Sequence, residues 1–295
     1  MKNSKKWIKG LAHSHWIFLL LCVIGSSAWS QVQQGSLLWK VTGPSIKTTY
    51  LLGTIHLTCD ATLKKKTQKA LANSDQLVLE MDFDDPSLAM GMMQAMNMQG
   101  GKTLKLLMNA ADYILVQQFI EQELGISLNM LPSIKPIFLQ TMLFPKMLDC
   151  PTQSIETMLS QQVKKEGKTL IGLETLEEQM AALEAISYEE QATQLVDLVK
   201  NKMVNEKKEI QQMMDLYRAE NLDGLYQLIQ EGAAFKSAEF DQKLLIDRNN
   251  RWMQKFKSML AEKSLFIGVG AAHLAGPNGL IALFRKSGFT VEPVY

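Results

Sequence analysis

The placement of the strand-like segments limits this fold most. Short apolar runs with β-branched or aromatic content occur at Leu37 to Val41, Thr49 to Ile55, Gln76 to Met81, Thr169 to Leu173, Leu265 to Val269 and Phe289 to Val294. Runs of this length and make-up read as strands. Helical spacing fills the intervals. Lys64 to Ala72 predicts a short helix, and Ser154 to Lys165 repeats Ile155, Met158, Leu159 and Val163 along one face. A long helical region runs from Glu189 to about Gln230, with Leu195, Leu198, Val199, Met203, Ile210, Met213, Met214 and Leu216 on its apolar side and a turn at Asn221 to Gly224. Strands toward both ends and helices in the middle require a sheet assembled from segments distant in sequence. The expected fold is a single α/β domain with a central mixed sheet and a helical insertion in the middle of the chain.

The first thirty residues read differently from the rest. Lys2, Lys5, Lys6 and Lys9 precede an apolar run from Trp16 to Ile24 and a small-residue patch from Gly25 to Ser30. That pattern predicts a signal peptide over residues 1–30, cut before Gln31, with the mature domain over residues 31–295. The apolar core is short for a membrane span, which weighs against a retained anchor. Leu21 stands where a lipoprotein signal before Cys22 would need a small residue. Without this segment 27 basic and 30 acidic side chains remain, a net charge near −3 that does not favour nucleic acid. No second transmembrane run follows, so an exported protein, periplasmic or extracellular, is expected. In an oxidising compartment Cys59 and Cys150 are expected to pair, closing a loop that contributes on the order of 4 kcal/mol; two unpaired buried cysteines are the alternative.

Removing the signal also takes His13 and His15, leaving His56 and His273. Both follow the same local pattern, an apolar run, a glycine, two intervening residues and a histidine: Gly53 to His56 and Gly270 to His273. For one such histidine, a partly buried ring bonded to backbone is the ordinary reading. Two in the same pattern at opposite ends of the chain point to convergence at the sheet edge where open α/β folds place ligands. Glu80, ending the run Leu77 to Leu79, emerges at that edge, and a carboxylate there needs a charged partner. Asp82, Asp84, Asp85 and Pro86 read as a solvated turn. Two imidazoles and a carboxylate are the ligand set of a catalytic divalent ion: zinc, manganese or cobalt. The glycines Gly53 and Gly270 are expected to let backbone turn or approach a ligand closely. Met90, Met92, Met93, Met96 and Met98 suit core packing better than a lid over a groove or a copper(I) site.

Five segments together resemble the TraB/GumN family, whose animal relatives include the Tiki proteases. They are Leu51-Leu-Gly-Thr-Ile-His-Leu57, Leu77-Val-Leu-Glu-Met-Asp82, Gly172-Leu-Glu-Thr-Leu-Glu-Glu-Gln179, Asp247-Arg-Asn-Asn-Arg-Trp252, and Gly268-Val-Gly-Ala-Ala-His-Leu274 followed by Gly276-Pro-Asn-Gly279. The last of these reads as a turn into a helix from Leu280 to Lys286. The resemblance implies an α/β fold shared with erythromycin esterase-like and ChaN-like proteins, and metal-dependent peptide cleavage for Tiki-like members. It implies that His56, Glu80 and His273 are metal or catalytic residues and that Arg248 belongs to the site. Glu174 falls in a matched segment, where a hydrogen bond to backbone is its simplest role.

On this reading a divalent ion held by His56, His273 and Glu80 lowers the pKa of bound water, and hydroxide attacks a carbonyl of a peptide or small-molecule substrate. Glu80 acts as ligand or as general base. Arg248 stabilises the oxyanion or holds a substrate carboxylate; the bland alternative is a helix-surface charge paired with Asp247 or Glu239. No Gly-x-Ser-x-Gly elbow is present, which argues against a serine hydrolase. The competing function is a protein that sequesters a peptide, haem or signalling molecule without turnover.

Overall fold

All six expected strands form, each within two residues of its predicted ends: β1 Leu38–Thr42, β2 Thr49–Thr54, β3 Gln76–Leu79, β4 Thr169–Gly172, β5 Leu265–Gly270 and β6 Thr290–Pro293. The structure is a computed structural model that describes residues 35–82, 85–232 and 241–295. The segment read as a signal peptide, with Cys22, Asp84 and Glu239, lies outside the described residues. The sheet order is β4-β3-β5-β2-β1-β6. Neighbours from β4 to β2 are parallel, while β1 runs antiparallel to both β2 and β6, so the sheet is mixed as expected.

Burial explains the sequence of the central strands. Every residue of β3 is buried, as are all but one in each of β2 and β5. Such strands are covered on both faces and read as unbroken apolar runs rather than alternating ones. Parallel register then fixes the site's location. Leu79 lies opposite Gly268 and Thr54 opposite Gly270, so Glu80, His56 and His273 all leave the sheet at its carboxyl edge.

The helices are α1 Lys65–Ala72, α2 Pro86–Ala95, α3 Leu104–Leu107, α4 Ala110–Leu124, α5 Pro136–Leu143, α6 Ile155–Lys165, α7 Leu176–Leu183, α8 Tyr188–Lys200, α9 Val204–Arg218, α10 Leu222–Glu231, α11 Asp247–Met259 and α12 Leu280–Lys286. The long helical region divides into α8, α9 and α10: the second break falls beside the turn expected at Asn221 to Gly224, and the first is a correction to the sequence reading. Lys202 and Met203, at φ 56° and 61°, make the first break, and Glu220 at φ 52° makes the second. These are left-handed positions that glycine or asparagine ordinarily fills, and Met203 is buried, so the apolar pattern runs on through a break in the backbone. Asn221 caps α10, accepting from the Gly224 amide at 2.9 Å.

Two apolar cores result. One holds the sheet, with Leu38, Leu51, Leu77, Phe266, Trp252, Phe256 and Phe284. The other lies within the helical insertion, around Leu104, Ile120, Leu128, Leu139 and Leu195. The methionine cluster divides between roles. Met98 is buried in the helical core and Met96 packs against it, Met92 packs on Met81, Leu176 and Met180, and Met90 and Met93 are exposed. Cys59 and Cys150 form a disulfide with Cα atoms 5.6 Å apart, joining the segment after β2 to the segment before α6. Among the described residues no helix is long and apolar enough to cross a membrane.

Candidate functional site

A buried charge cluster closes the carboxyl edge of β3 and β5. It centres on Arg248, in the first turn of α11 directly after a wide π-helical turn, Gln242–Ile246. The Arg248 side chain is 5% exposed, and Glu80 and Glu174 are 6% and 0% exposed. Arg248 Nη2 donates to Glu80 Oε2 at 2.5 Å. Its Nε donates to both oxygens of Glu174 at 3.0 and 2.9 Å, and Nη1 donates to the Leu244 carbonyl at 3.2 Å. Arg251 adds a second cation on Glu174, at 3.3 Å, so two carboxylates face two guanidinia. Charges out of water need such compensation. The guanidinium also lies over the Trp252 ring, 4.9 Å from its centroid.

His273 belongs to this cluster and its tautomer follows from its neighbours. Arg248 Nη1 is 3.2 Å from His273 Nε2. A guanidinium can only donate, so Nε2 accepts and carries no proton. The ring proton therefore sits on Nδ1, which donates to Asn249 Oδ1 at 2.8 Å. Asn249 is held in turn by donating to the carbonyls of His273 and Asn278. Burial, with Arg248 and His56 nearby, pulls the His273 pKa down to about 3 against the opposing charge of Glu80, which keeps the ring neutral. Burial pushes the Glu80 carboxyl up, but His273 when protonated, Arg248, His56 and the Gly270 amide hold it at about 2. That amide donates to Glu80 Oε1 at 2.8 Å.

His56 occupies the opposite kind of environment. It follows β2 in an irregular segment, and its side chain is 61% exposed. Nδ1 lies 2.9 Å from Oε1 of Glu156, which is 6% exposed. Glu156 stands in the first turn of α6, where the helix N-terminus favours negative charge. Thr54 Oγ1 donates to its Oε1 at 2.7 Å and Ser154 Oγ to its Oε2 at 2.8 Å. The hydrogen bond to Glu156, opposed by burial and aided by the charges of Glu156 and Glu80, raises the His56 pKa to about 9. The same bond holds the Glu156 carboxyl below its usual range although burial alone would raise it. The two histidines thus leave adjacent strands without being equivalent. After Gly270 the chain winds into a tight turn, Ala271–His273, that tucks the ring under Trp252, centroids 4.4 Å apart.

The two motif glycines serve packing. A Cβ on Gly53 would lie 3.1 Å from Ala271 Cα, and one on Gly270 would lie 3.3 Å from Glu80 Oε1. Each admits a close neighbour from the protein itself, where an approaching ligand was expected.

Each of the residues expected to hold a divalent ion has protein partners in this structure, His56 on Glu156 and the others within the Arg248 cluster. Both oxygens of Glu80 are engaged, His273 Nε2 accepts from Arg248, and the guanidinium fills the position between them. Among the described residues no group of three histidine, cysteine, aspartate or glutamate side chains could hold a metal ion. Arg248, with Arg251 beside it, supplies the positive charge of this cluster. The Arg248 side chain is enclosed, and the surface pairing with Asp247 does not form, since Asp247 pairs with Lys243 instead. Glu174 exceeds its expected part: its amide donates to the Glu80 carbonyl at 2.9 Å while its carboxylate holds both arginines.

A cleft of about 390 Å³ has Leu52, Leu63, Leu148, Ile155, Met214 and Tyr217 among its lining residues, while His56 and Glu156 themselves do not line it. It also reaches Thr58, two residues beyond His56, while Ile155 immediately precedes Glu156. Tyr217 donates from its hydroxyl to the Gly53 carbonyl at 3.0 Å, and burial raises its pKa. The sequence reading missed Glu156, Asn249 and Tyr217 as site residues. The serine two positions before Glu156, poised to cap a helix, was the available signal for the first.

The model of the TraB/PrgY/gumN family matches residues 37–293. No curated protein and no solved structure matches the chain.

Proposed function

This chain belongs to the TraB/PrgY/gumN family, and from that premise we propose that it is an exported hydrolase of peptide or ester bonds whose acid–base group is His56. One observation carries the proposal: an exposed imidazole held by a buried carboxylate, with the near sequence neighbours Thr58 and Ile155 lining a cleft. Glu156 fixes the Nδ1 proton, which leaves Nε2 as the working nitrogen. In its unprotonated form Nε2 takes a proton from water as the oxygen bonds to the substrate carbonyl carbon. The resulting imidazolium returns the proton to the leaving nitrogen or oxygen as the scissile bond breaks. With a pKa of about 9 only about one ring in a hundred is unprotonated at pH 7, so the rate rises with pH toward 9. The Arg248 cluster sets the backbone on which these groups stand and carries no divalent ion in this reading. The disulfide supports action in an oxidising compartment, periplasmic or extracellular.

The test is a peptide library and an ester panel run with wild type, His56→Ala and Glu156→Gln, each before and after chelation. His56→Ala is expected to lose about 10²- to 10⁴-fold in turnover with its fold intact. Glu156→Gln should move the rising limb of the pH–rate profile from about 9 toward 6.5. Chelation should change nothing. Activity lost on chelation and restored by manganese, cobalt or zinc would reinstate a metal site, and a wild type that turns over no member of either panel would make this a binding protein.

A further inference from the structure

The Cys59–Cys150 disulfide sits where neither apolar core needs it. Cys59 is exposed, Cys150 is half-buried, and neither belongs to a core cluster. Its position matters to the dyad instead. Cys59 lies three residues after His56, and Cys150 six residues before Glu156. Between these points the two segments form an antiparallel bridge. The Thr58 amide donates to the Gln153 carbonyl at 3.0 Å, and the Gln153 amide donates back to the Thr58 carbonyl at 2.8 Å. The Gln153 side-chain oxygen accepts from the Ala61 amide at 3.1 Å.

Glu156 needs no help from the disulfide, because α6, Thr54 and Ser154 already fix it. His56 is tethered from one side by β2, which ends two residues before it at Thr54. Its segment is irregular and its ring largely exposed, so the bond to Glu156 must bear the cost of ordering the residues that present it. A clamp three residues away shortens the free arm to roughly 10 Å of extended chain.

We infer that Cys59 and Cys150 are positioning residues: their bond, with the Thr58–Gln153 bridge, presents His56 to Glu156. This rests on the proposed role of His56 in catalysis, but its geometry can be read without a substrate. The groups that act on His56 are Glu156, Glu80 and Arg248, and of these Glu156 is the one it contacts.

The test uses the full chain with isotope-labelled histidine, the His56 imidazole signal being assigned by its absence from His56→Gln. Its titration midpoint is followed by NMR in wild type, in the double variant Cys59→Ser/Cys150→Ser, and in Leu139→Ala, a control that weakens the distant helical core. Breaking the clamp should lower the midpoint from about 9 by at least one unit, roughly a tenfold loss of preference for the paired, protonated ring. In the same variant the plateau kcat, read above the midpoint where the ring is unprotonated in both proteins, should fall about tenfold while KM changes less than about threefold. Leu139→Ala should leave the midpoint in place. Should the double variant not fold, folded wild type treated with a dithiol gives the same reading; the dithiol is oxidised to its cyclic disulfide as Cys59 and Cys150 become thiols. An unchanged His56 midpoint in the folded double variant or in the reduced protein overturns the inference. Full activity in His56→Ala would instead overturn the catalytic reading and leave the clamp result standing.

Discussion

Arg248 is the residue on which most of the carboxyl edge depends, since it touches Glu80, Glu174, His273 and Trp252 together. Arg248→Met keeps much of its volume and removes its charge, leaving Glu80 facing His273 and Glu174 with only the half-exposed Arg251. Losing one partner of a buried ion cluster costs roughly 3–5 kcal/mol, so urea unfolding of this variant should show a loss of that size. A loss under about 1 kcal/mol would mean that the cluster relaxes or takes in water. At this scale His56, Glu80 and His273 were legible because each follows an apolar run that ends at the sheet edge, whereas Arg248, in the first turn of α11, came only from the family resemblance. Their partnerships were not. Nothing in a one-dimensional string shows that a guanidinium from α11 enters between Glu80 and His273, nor that Glu156, about a hundred residues from His56, is the carboxylate that holds it.

Among the elements, strands were easier to read than helix ends. Strands buried on both faces leave an apolar run whose limits are set by the sheet itself. Helix breaks depend on a few dihedral angles, and Lys202, Met203 and Glu220 adopt left-handed values that their side chains do not advertise. Lys202 is exposed, so its conformation can be tested with little change in packing. Lys202→Gly removes a Cβ disfavoured at φ 56° and should stabilise the protein by about 0.5–1 kcal/mol, after allowing for the greater freedom of glycine in the unfolded chain. A raised melting temperature checks this. A lowered one would show that the α8–α9 junction relies on the lysine side chain.

Stability of the whole molecule should peak near pH 6.5. His56 has a folded pKa of about 9, above its unfolded 6.5, so its contribution is complete below pH 6.5 and fades as pH rises through 9. His273 is depressed to about 3, so the unfolded chain binds a proton that the folded one refuses, and stability falls as pH drops from 6.5 toward 3. Glu80, lowered from 4.5 to about 2, contributes above 4.5 and is lost toward 2. Denaturant midpoints taken from pH 3 to 10 should trace a dome, and His56→Ala should flatten its alkaline side. A midpoint that climbs between pH 6.5 and 9 would contradict the His56–Glu156 pairing.

Among the described strands, β5 alone joins the two halves of the sheet, with β2, β1 and β6 on one side and β3 and β4 on the other. Its first residue is Leu265, so the pairs β1–β2 and β3–β4 stay unjoined in a growing chain until that strand has been made. The same strand delivers His273 and the Gly270 amide, so the ordering of the carboxyl edge waits on the same late event as the fold.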